Sequence, residues 1–318
     1  MSLAERVLRG DPRAAARLIS MAEDGDPAAR GEMETLYPHT GRAYIVGVTG
    51  PPGSGKSTLV DQLTERWRQE GKKIGIVAVD PSSPFTGGAI LADRIRMQRH
   101  GTDEGVFIRS MASRGQMGGL ARASYDAVQV LDAFGCEMIL LETVGVGQDE
   151  VDIVRTADTV LVLAVPGLGD SVQVLKAGIM EIADIFVVGK ADLEGADQVG
   201  RDLAALQEIE GGGRQGWMPP VIKVEGLSGS GVPELLRVIG EHREYMARSV
   251  EGEVRKRRRL ETHLEQLLAG ELMEQALESL RRSGKWEEAL ARLGRRDCDP
   301  YRLAQELAEQ ILVSPPSP

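Results

Sequence analysis

The segment Gly50–Ser57 limits the possible folds of this chain more than any other part of the sequence. Its letters, GPPGSGKS, fit the pattern GxxxxGK[ST] in full, and they stand between the apolar run Tyr44–Thr49 and a helix-forming stretch. Glycines allow successive amides to turn toward phosphate oxygens, and the new helix adds the positive end of its dipole. The pattern therefore predicts a phosphate-binding loop between the first strand and the first crossover helix of an α/β domain.

Each part of this loop has an expected role. Lys56 supplies a point charge for the phosphates, and Ser57 can ligate magnesium. The positions expected to bind the nucleotide here are Gly50, Pro51, Pro52, Gly53, Ser54, Gly55, Lys56, Ser57 and Thr58.

Short β-branched runs alternate with helical stretches from residue 44 to about residue 248. Strands are predicted at about 44–49, 74–79, 106–109, 136–142, 159–165, 185–189 and 221–224. Helices are predicted at about 57–70, 93–100, 120–134, 170–182, 197–209 and 232–248. This order predicts an α/β P-loop NTPase with a mostly parallel central sheet flanked by helices. The loops after the strands then meet at one edge, where open α/β sheets bind ligands.

The chain divides by pattern into four parts. Residues 1–43 are predicted to be an N-terminal helical extension, 44–248 the P-loop domain, 249–313 a C-terminal helical arm and 314–318 a disordered tail. The arm either covers the chain's own domain or forms a self-association surface. Its apolar positions are Leu260, Leu264, Leu267, Leu268, Leu272 and Leu277.

Acidic residues close two of the predicted strands. Asp80 ends the run Ile74–Val79, and Glu142 ends Met138–Leu141. Hydrolysis of a nucleoside triphosphate needs magnesium between the β and γ phosphates, with carboxylates near it. We therefore expect both acids at the catalytic centre. Asp93 is a weaker candidate, because it could simply begin a helix.

A second motif, Gly189-Lys190-Ala191-Asp192, resembles the guanine-reading pattern NKxD, with glycine in place of asparagine. Its aspartate can accept from the ring N–H and the amino group of guanine, which adenine does not present together. A polar site of this kind rejects the wrong base by factors of roughly 10⁴. The later loop with Gly226 and Leu227 is where a backbone amide would face the guanine carbonyl, although a glycine-rich turn is an equally good interpretation.

Composition excludes several classes of protein. The 318 residues carry a formal net charge of −10 and only 4% aromatic residues, which argues against nucleic-acid binding. No apolar run is long enough for a membrane span, and the N-terminal stretch fits neither a secretory signal nor a transit peptide, so we expect a cytoplasmic protein. The four histidines suggest no metal site, and Cys136 and Cys298 are expected to be reduced thiols. The basic run Arg255–Arg259 predicts a solvated helix face or a docking patch for an acidic partner.

Several longer motifs resemble one family. The stretch 80–97 (DPSSPFTGGAILADRIRM) is the most specific, with 37–42 (YPHTGR), 142–148 (ETVGVGQ) and 176–184 (KAGIMEIAD) in support. Over nearly its whole length the chain resembles the MeaB GTPases, also called ArgK, which are associated with methylmalonyl-CoA mutase and belong to the metallochaperone-type P-loop GTPases. It departs from their pattern at Gly189 and at Val224–Gly226, where Thr-Ser-Ala is more usual, and both departures bear on base selectivity.

The resemblance implies a function. It implies a homodimeric GTPase that binds GTP or GDP with Mg²⁺, gates cofactor loading and protects an adenosylcobalamin-dependent acyl-CoA mutase, without holding cobalamin itself. The metal roles would fall on Ser57, Asp80, Asp93 and Glu142, and the last three would act in hydrolysis with Lys56. Switch-like loops would lie at about 81–97, 143–150 and 167–176.

Two other functions remain open at this point. One is an ATP-dependent kinase of a small molecule or a transport protein, which would transfer the γ-phosphate to something other than water. The other is a nucleotide-binding interaction module without turnover, which retention of Asp80 and Glu142 disfavours.

Overall fold

The chain folds around a seven-stranded sheet. The computed structural model describes residues 1–80, 98–112, 119–143, 156–167, 179–210 and 216–313. The strands are β1 (Tyr44–Thr49), β2 (Ile74–Asp80), β3 (Val106–Ala112), β4 (Met138–Thr143), β5 (Thr159–Ala164), β6 (Ile185–Gly189) and β7 (Val221–Val224). Their order is β3-β2-β4-β1-β5-β6-β7, and every neighbouring pair is parallel. The predicted P-loop α/β fold with a parallel sheet is confirmed.

The central strands are covered on both faces. All residues of β4, β5 and β6 are buried, which is why these strands are nearly continuous apolar runs rather than alternating ones. In register, Val48 of β1 stands opposite Glu142 of β4, and Thr49 stands opposite Val162 of β5. The ends of these strands therefore meet beside the loop that follows β1.

The helices that follow the strands pack on the faces of the sheet. They are α4 (Lys56–Gln69), α5 (Gly119–Ala133), α6 (Ile179–Ile182), α7 (Ala196–Glu210) and α8 (Val232–Arg248). One face of the sheet packs with α4 and α8, through Leu63 and Leu235, which are fully buried. The predicted helices 93–100 and 170–182 fall largely outside the described residues, which show a 3₁₀ turn at Gln98–His100 and α6. The expected switch loop 81–97, most of 143–150 and of 167–176, and the tail 314–318 also lie outside them.

One predicted strand boundary is wrong. We expected a strand from residue 136, but β4 begins at Met138. The amide of Cys136 donates to Leu131 O at 3.0 Å, and Gly135 adopts a left-handed φ of 96°. Cys136 therefore closes the end of α5 instead of beginning the strand. Burial raises the pKa of the Cys136 thiol to about 12.

Three helices precede the sheet, namely α1 (Leu3–Leu8), α2 (Pro12–Glu23) and α3 (Pro27–Leu36). Asp11 and Asp26 cap α2 and α3, each followed by a proline at the first helical position. Leu18 and Leu36 are fully buried in the same cluster as residues of α5. The carboxylate of Asp132 accepts from the amides of residues 41–43, which fixes the connection into β1.

The chain divides into two compact units, Met1–Arg259 and Leu260–Pro318, each held together by its own internal contacts. The C-terminal helices are α9 (Val250–Arg282), α10 (Lys285–Gly294) and α11 (Pro300–Val313). Within the second unit, Arg292 of α10 pairs with Glu306 of α11 at 3.2 Å. No helix of the described residues is both long and apolar enough to cross a bilayer.

Two arginines of the basic run at the start of α9 form ion pairs within the first unit. Arg255 donates to both carboxylate oxygens of Asp184, at 2.7 and 2.8 Å. Arg259 pairs with Asp158 at 2.6 Å. Asp184 and Asp158 directly precede β6 and β5, so the run's two partly buried arginines fasten α9 to the edge where these strands begin.

Candidate nucleotide site

The loop between β1 and α4 has the backbone conformation that its glycines predict. Gly50, Gly53 and Gly55 have φ values of 145°, 76° and 92°, which side chains rarely allow. A Cβ on Gly50 would lie 2.6 Å from Leu163 O of β5. Glycine is therefore required at position 50 for both conformation and space.

Several amides of this loop are available to a ligand. Within the described part of the chain, the amides of Gly53, Gly55 and Ser57 donate to no protein acceptor. They stand at the N-terminus of α4, a 14-residue helix, where its dipole favours an anion. Ser54 is 1% exposed, and its hydroxyl has no hydrogen-bond partner among the described residues. These amides and this hydroxyl are therefore donors that can form hydrogen bonds to phosphate oxygens.

Lys56 adds the positive charge. Its side chain is buried, and its ammonium donates to Gly50 O at 2.7 Å and Pro51 O at 3.1 Å. The amide of Ser54 also donates to Pro51 O, at 3.1 Å. The ammonium group therefore lies against the backbone of the loop that would surround the phosphates.

The structure brings two of the four expected metal ligands together. Ser57 Oγ donates to Glu142 Oε1 at 2.6 Å, and Glu142 is 3% exposed at the end of β4. Thr143 beside it donates to Thr49 Oγ1 at 3.1 Å, which ties the end of β4 to the end of β1. A hydroxyl and a carboxylate in contact are oxygen donors of the kind that Mg²⁺ prefers.

The other two expected ligands are less fully described. Asp80 is the last residue of β2, where its backbone pairs with Ala112, and Asp93 lies outside the described residues. Among the residues that are described, no group of three or more His, Cys, Asp or Glu side chains is arranged to hold a metal. The pair Ser57–Glu142 thus fits a magnesium ion that takes its remaining ligands from elsewhere, such as phosphate oxygens and water.

A pocket of about 260 Å³ continues from the phosphate loop. It joins the start of α4 to the loops that follow β6 and β7, so both predicted base motifs reach it. Its lining residues are Ser54, Gly55, Thr58, Leu59, Leu163, Val187, Gly189, Lys190, Asp192, Leu193, Val224, Glu225, Gly226 and Leu227. Ala191, which was also expected to bind the nucleotide, is absent from this lining. Its amide donates to Val224 O at 3.2 Å, which ties the two loops together.

The loop after β7 is tightly fixed. Glu225 N donates to Ser230 O at 3.0 Å, and a Cβ on Gly231 would lie 2.0 Å from Lys223 O. In the described structure the amides of Gly226 and Leu227 donate to no protein atom, and a Cβ on Gly226 would lie 2.9 Å from Thr58 Cγ2. This loop therefore presents two backbone donors beside the phosphate-loop helix.

The chain's sequence matches the profile of one family, described as "Methylmalonyl Co-A mutase-associated GTPase MeaB", over residues 15–281. The chain belongs to this MeaB family of GTPases. A protein of Pyrococcus abyssi that carries the name "Putative GTPase" is 51% identical over 312 residues, covering 98% of this chain and 96% of that protein. The Escherichia coli GTPase ArgK is 33% identical over 242 residues, covering 74% of this chain and 73% of ArgK.

A solved structure supports the fold of this MeaB family member. The crystal structure of a LAO/AO transport system kinase aligns with a TM-score of 0.69 at 23% identity, covering 98% of this chain and 97% of that one. At this identity the likeness shows the fold alone.

Sequence reasoning missed some residues of the candidate site. Leu163 lines the pocket from near the end of a buried strand, and Leu193 lines it from beyond the base motif. Neither carries a motif signal, and Leu163 reaches the pocket because the strand order places β5 beside β1. Within the MeaB-like segment 37–42, the amides of Gly41 and Arg42 donate to Asp132 at the edge where β1 begins.

Proposed function

We propose that this chain binds and hydrolyses GTP with Mg²⁺ and acts as a chaperone of an adenosylcobalamin-dependent acyl-CoA mutase. The observation that carries the GTPase part is the continuity of the site. One pocket is lined both by Ser54 and Gly55 of the phosphate loop, which also carries Lys56, and by Asp192 of the base motif. A nucleotide bound there would have its phosphates at the loop and its base at Asp192.

The phosphate end would bind and orient the triphosphate. The amides of Gly53, Gly55 and Ser57 and the ammonium of Lys56 would donate to phosphate oxygens. Ser57 and Glu142, with Asp80 and Asp93, would hold the magnesium ion and its water. When bound, this ion neutralises charge on the β and γ phosphate oxygens.

The base end would select guanine. Asp192 would accept from the ring N–H and the exocyclic amino group, and the amides of Gly226 and Leu227 would be donors for the guanine carbonyl. Adenine lacks both the ring N–H and the carbonyl, so its complex would leave these protein groups unpaired.

The partner assignment rests on the family. Its name associates the family with methylmalonyl-CoA mutase, and the segments 81–97, 143–150 and 167–176 are the proposed switches that would report the γ-phosphate to that partner. We further propose that the protein is a cytoplasmic homodimer. This is supported by a row of exposed apolar side chains four residues apart on α9, namely Leu260, Leu264, Leu268 and Leu272.

The first test compares nucleotides. Purified protein is expected to release phosphate from GTP faster than from ATP, and Lys56→Ala is expected to lower GTP turnover at least about a hundredfold, because it removes the charge beside the phosphates. Lys256→Ala, at an exposed position of α9, is the matched control and should leave turnover unchanged.

The outcomes separate the alternatives. Equal turnover of GTP and ATP would remove the guanine assignment. Transfer of labelled γ-phosphate to an acceptor other than water would favour a kinase, and tight binding without hydrolysis, even with a mutase present, would favour an interaction module.

The second test addresses the partner. Affinity capture from native cell extract, with a GTP analogue and with GDP, should retain a cobalamin-dependent mutase, and retention should depend on the nucleotide. Retention of other proteins alone would contradict the chaperone proposal while leaving the GTPase proposal standing.

A further inference from the structure

The base pocket has no side chain at one position where the motif usually carries an amide. Gly189 ends β6 and lines the pocket three residues before Asp192. Its backbone is not left-handed, so conformation does not require glycine there. A Cβ at this position would lie 3.0 Å from Ser54 O and 3.2 Å from Val165 Cγ1. Gly189 therefore stands directly against the phosphate loop and offers the pocket no hydrogen-bonding side chain.

The anti conformation of a purine nucleotide determines which edge would meet this position. With the base anti to the ribose at N9, the C8–N7 side lies toward the 5′-phosphates and the N1 and N2 groups lie at the far end. Gly189 stands beside the phosphate loop, whereas Asp192 lies in the loop beyond it. A base with N1 and N2 at Asp192 would thus turn its N7 edge toward Gly189.

The same pocket offers an apolar surface to the face of a base. Leu227 lines it with a side chain that is 90% exposed, and Leu193 lines it at 47% exposed. A large apolar side chain so open to water gains free energy when a flat aromatic ring covers it. This contact is indifferent to the atom at position 7 of the ring.

We infer that this chain reads guanine without a side-chain contact to N7, through Asp192 at the N1 and N2 edge and Leu227 at the ring face. The inference rests on the proposed guanine site and specifies how that site selects its base. It makes Gly189 a specificity-determining position, because the glycine supplies no side-chain donor to N7.

The test uses 7-deaza-GDP, in which a C–H group replaces N7 and the N1 and N2 groups are unchanged. Calorimetric titrations of GDP and 7-deaza-GDP in Mg²⁺ are expected to give dissociation constants within about twofold of each other for the natural sequence. A side-chain hydrogen bond to N7 would separate them by about fivefold or more. Such a separation would overturn the inference.

Variants sharpen the comparison. Gly189→Asn restores an amide donor and is expected to favour GDP over 7-deaza-GDP by about fivefold. Gly189→Ala is the matched control, because it adds the Cβ near Ser54 O without a donor and should keep the two ligands equal. If Gly189→Asn loses all binding through this close contact, the ratio measured for the natural sequence decides.

Leu227→Ala tests the face contact. It is expected to weaken both ligands by the same factor, about fivefold, since it removes apolar contact only. Unchanged affinity for both would overturn the role of Leu227. Absence of any guanine nucleotide binding by the natural sequence would instead refute the proposed function, so the two failures are distinguishable.

Discussion

Asp192 lies in the loop after β6 and lines the pocket beside Gly226 and Leu227. Its carboxylate can only accept hydrogen bonds, whereas an amide presents one acceptor and two donors. Xanthine keeps the ring N–H of guanine but has a carbonyl oxygen in place of the amino group. The identity of this one side chain therefore decides between two bases of nearly equal shape.

Asp192→Asn is expected to weaken GDP binding by about a hundredfold and to make xanthosine diphosphate the tighter ligand, because the amide can donate to the second carbonyl. Competition binding with a fluorescent nucleotide measures both constants. Glu194→Gln changes a charge in the same loop but outside the pocket lining, and it should change neither constant. Undiminished GDP binding by Asp192→Asn would remove Asp192 from the base site.

Helix α5 holds the carboxyl group of Asp126 where burial disfavours its ionised form. Burial raises the pKa of Asp126 to about 6, and Arg122, one turn earlier, lowers it only in part from 3.9 Å. The folded chain thus keeps a proton on this carboxyl that the unfolded chain releases near pH 3.8. Stability from this group is fully present below the unfolded value and is lost as pH rises through about 6.

Asp126→Asn cannot ionise and is expected to stabilise the fold by up to about 3 kcal/mol at pH 7.5, with the gain shrinking toward zero near pH 4. Thermal unfolding followed by circular dichroism between these pH values measures the effect. Glu104→Gln, at an exposed position, should show no such pH-dependent gain. A gain that stays constant with pH would show that ionisation of Asp126 is not its cause.

The first turns of α9 are fastened by the pair of Arg255 with Asp184, whose side chain is 4% exposed. Asp184 also accepts from the amide of Val160, so it holds the start of β5 as well. Removal of the arginine would leave a buried carboxylate without its main counter-charge, which costs far more than an exposed pair.

Arg255→Met is expected to destabilise the protein by about 3 kcal/mol, and Asp184→Asn in the same chain should restore part of that loss. Arg258→Met removes an exposed arginine from the same basic run and should change stability by less than about 0.5 kcal/mol. Urea denaturation of the four proteins measures the differences. Equal effects at positions 255 and 258 would contradict the anchoring role.

The sequence predicts best what one continuous motif contains. The phosphate loop, Glu142 at its strand end and Asp192 each follow from local pattern, and the structure puts them at one edge because parallel strands end together. Leu163 could not be predicted, since its contact with Gly50 depends on which strands are neighbours. The ion pairs of Arg255 and Arg259 could not be predicted either, because a basic run does not indicate which distant carboxylates it will contact.

The proposed dimer depends on the exposed leucines of the second unit. Replacement of Leu264, Leu268 and Leu272 by serine is expected to convert the dimer to a monomer, because it removes the apolar area that a second copy would cover. Light scattering after size-exclusion chromatography measures the mass. Gln266→Ser on the same helix should leave the mass unchanged, and a dimer that survives the triple substitution would place the interface elsewhere.

The closure of α5 by Cys136 has a practical consequence for such measurements. With its thiol buried and its pKa raised to about 12, Cys136 stays protonated and inert toward maleimides at neutral pH, whereas Cys298 in the second unit is partly exposed. A thiol-directed dye would therefore attach at a single place in the natural sequence. Motion or self-association of the second unit can be followed optically without engineering the chain.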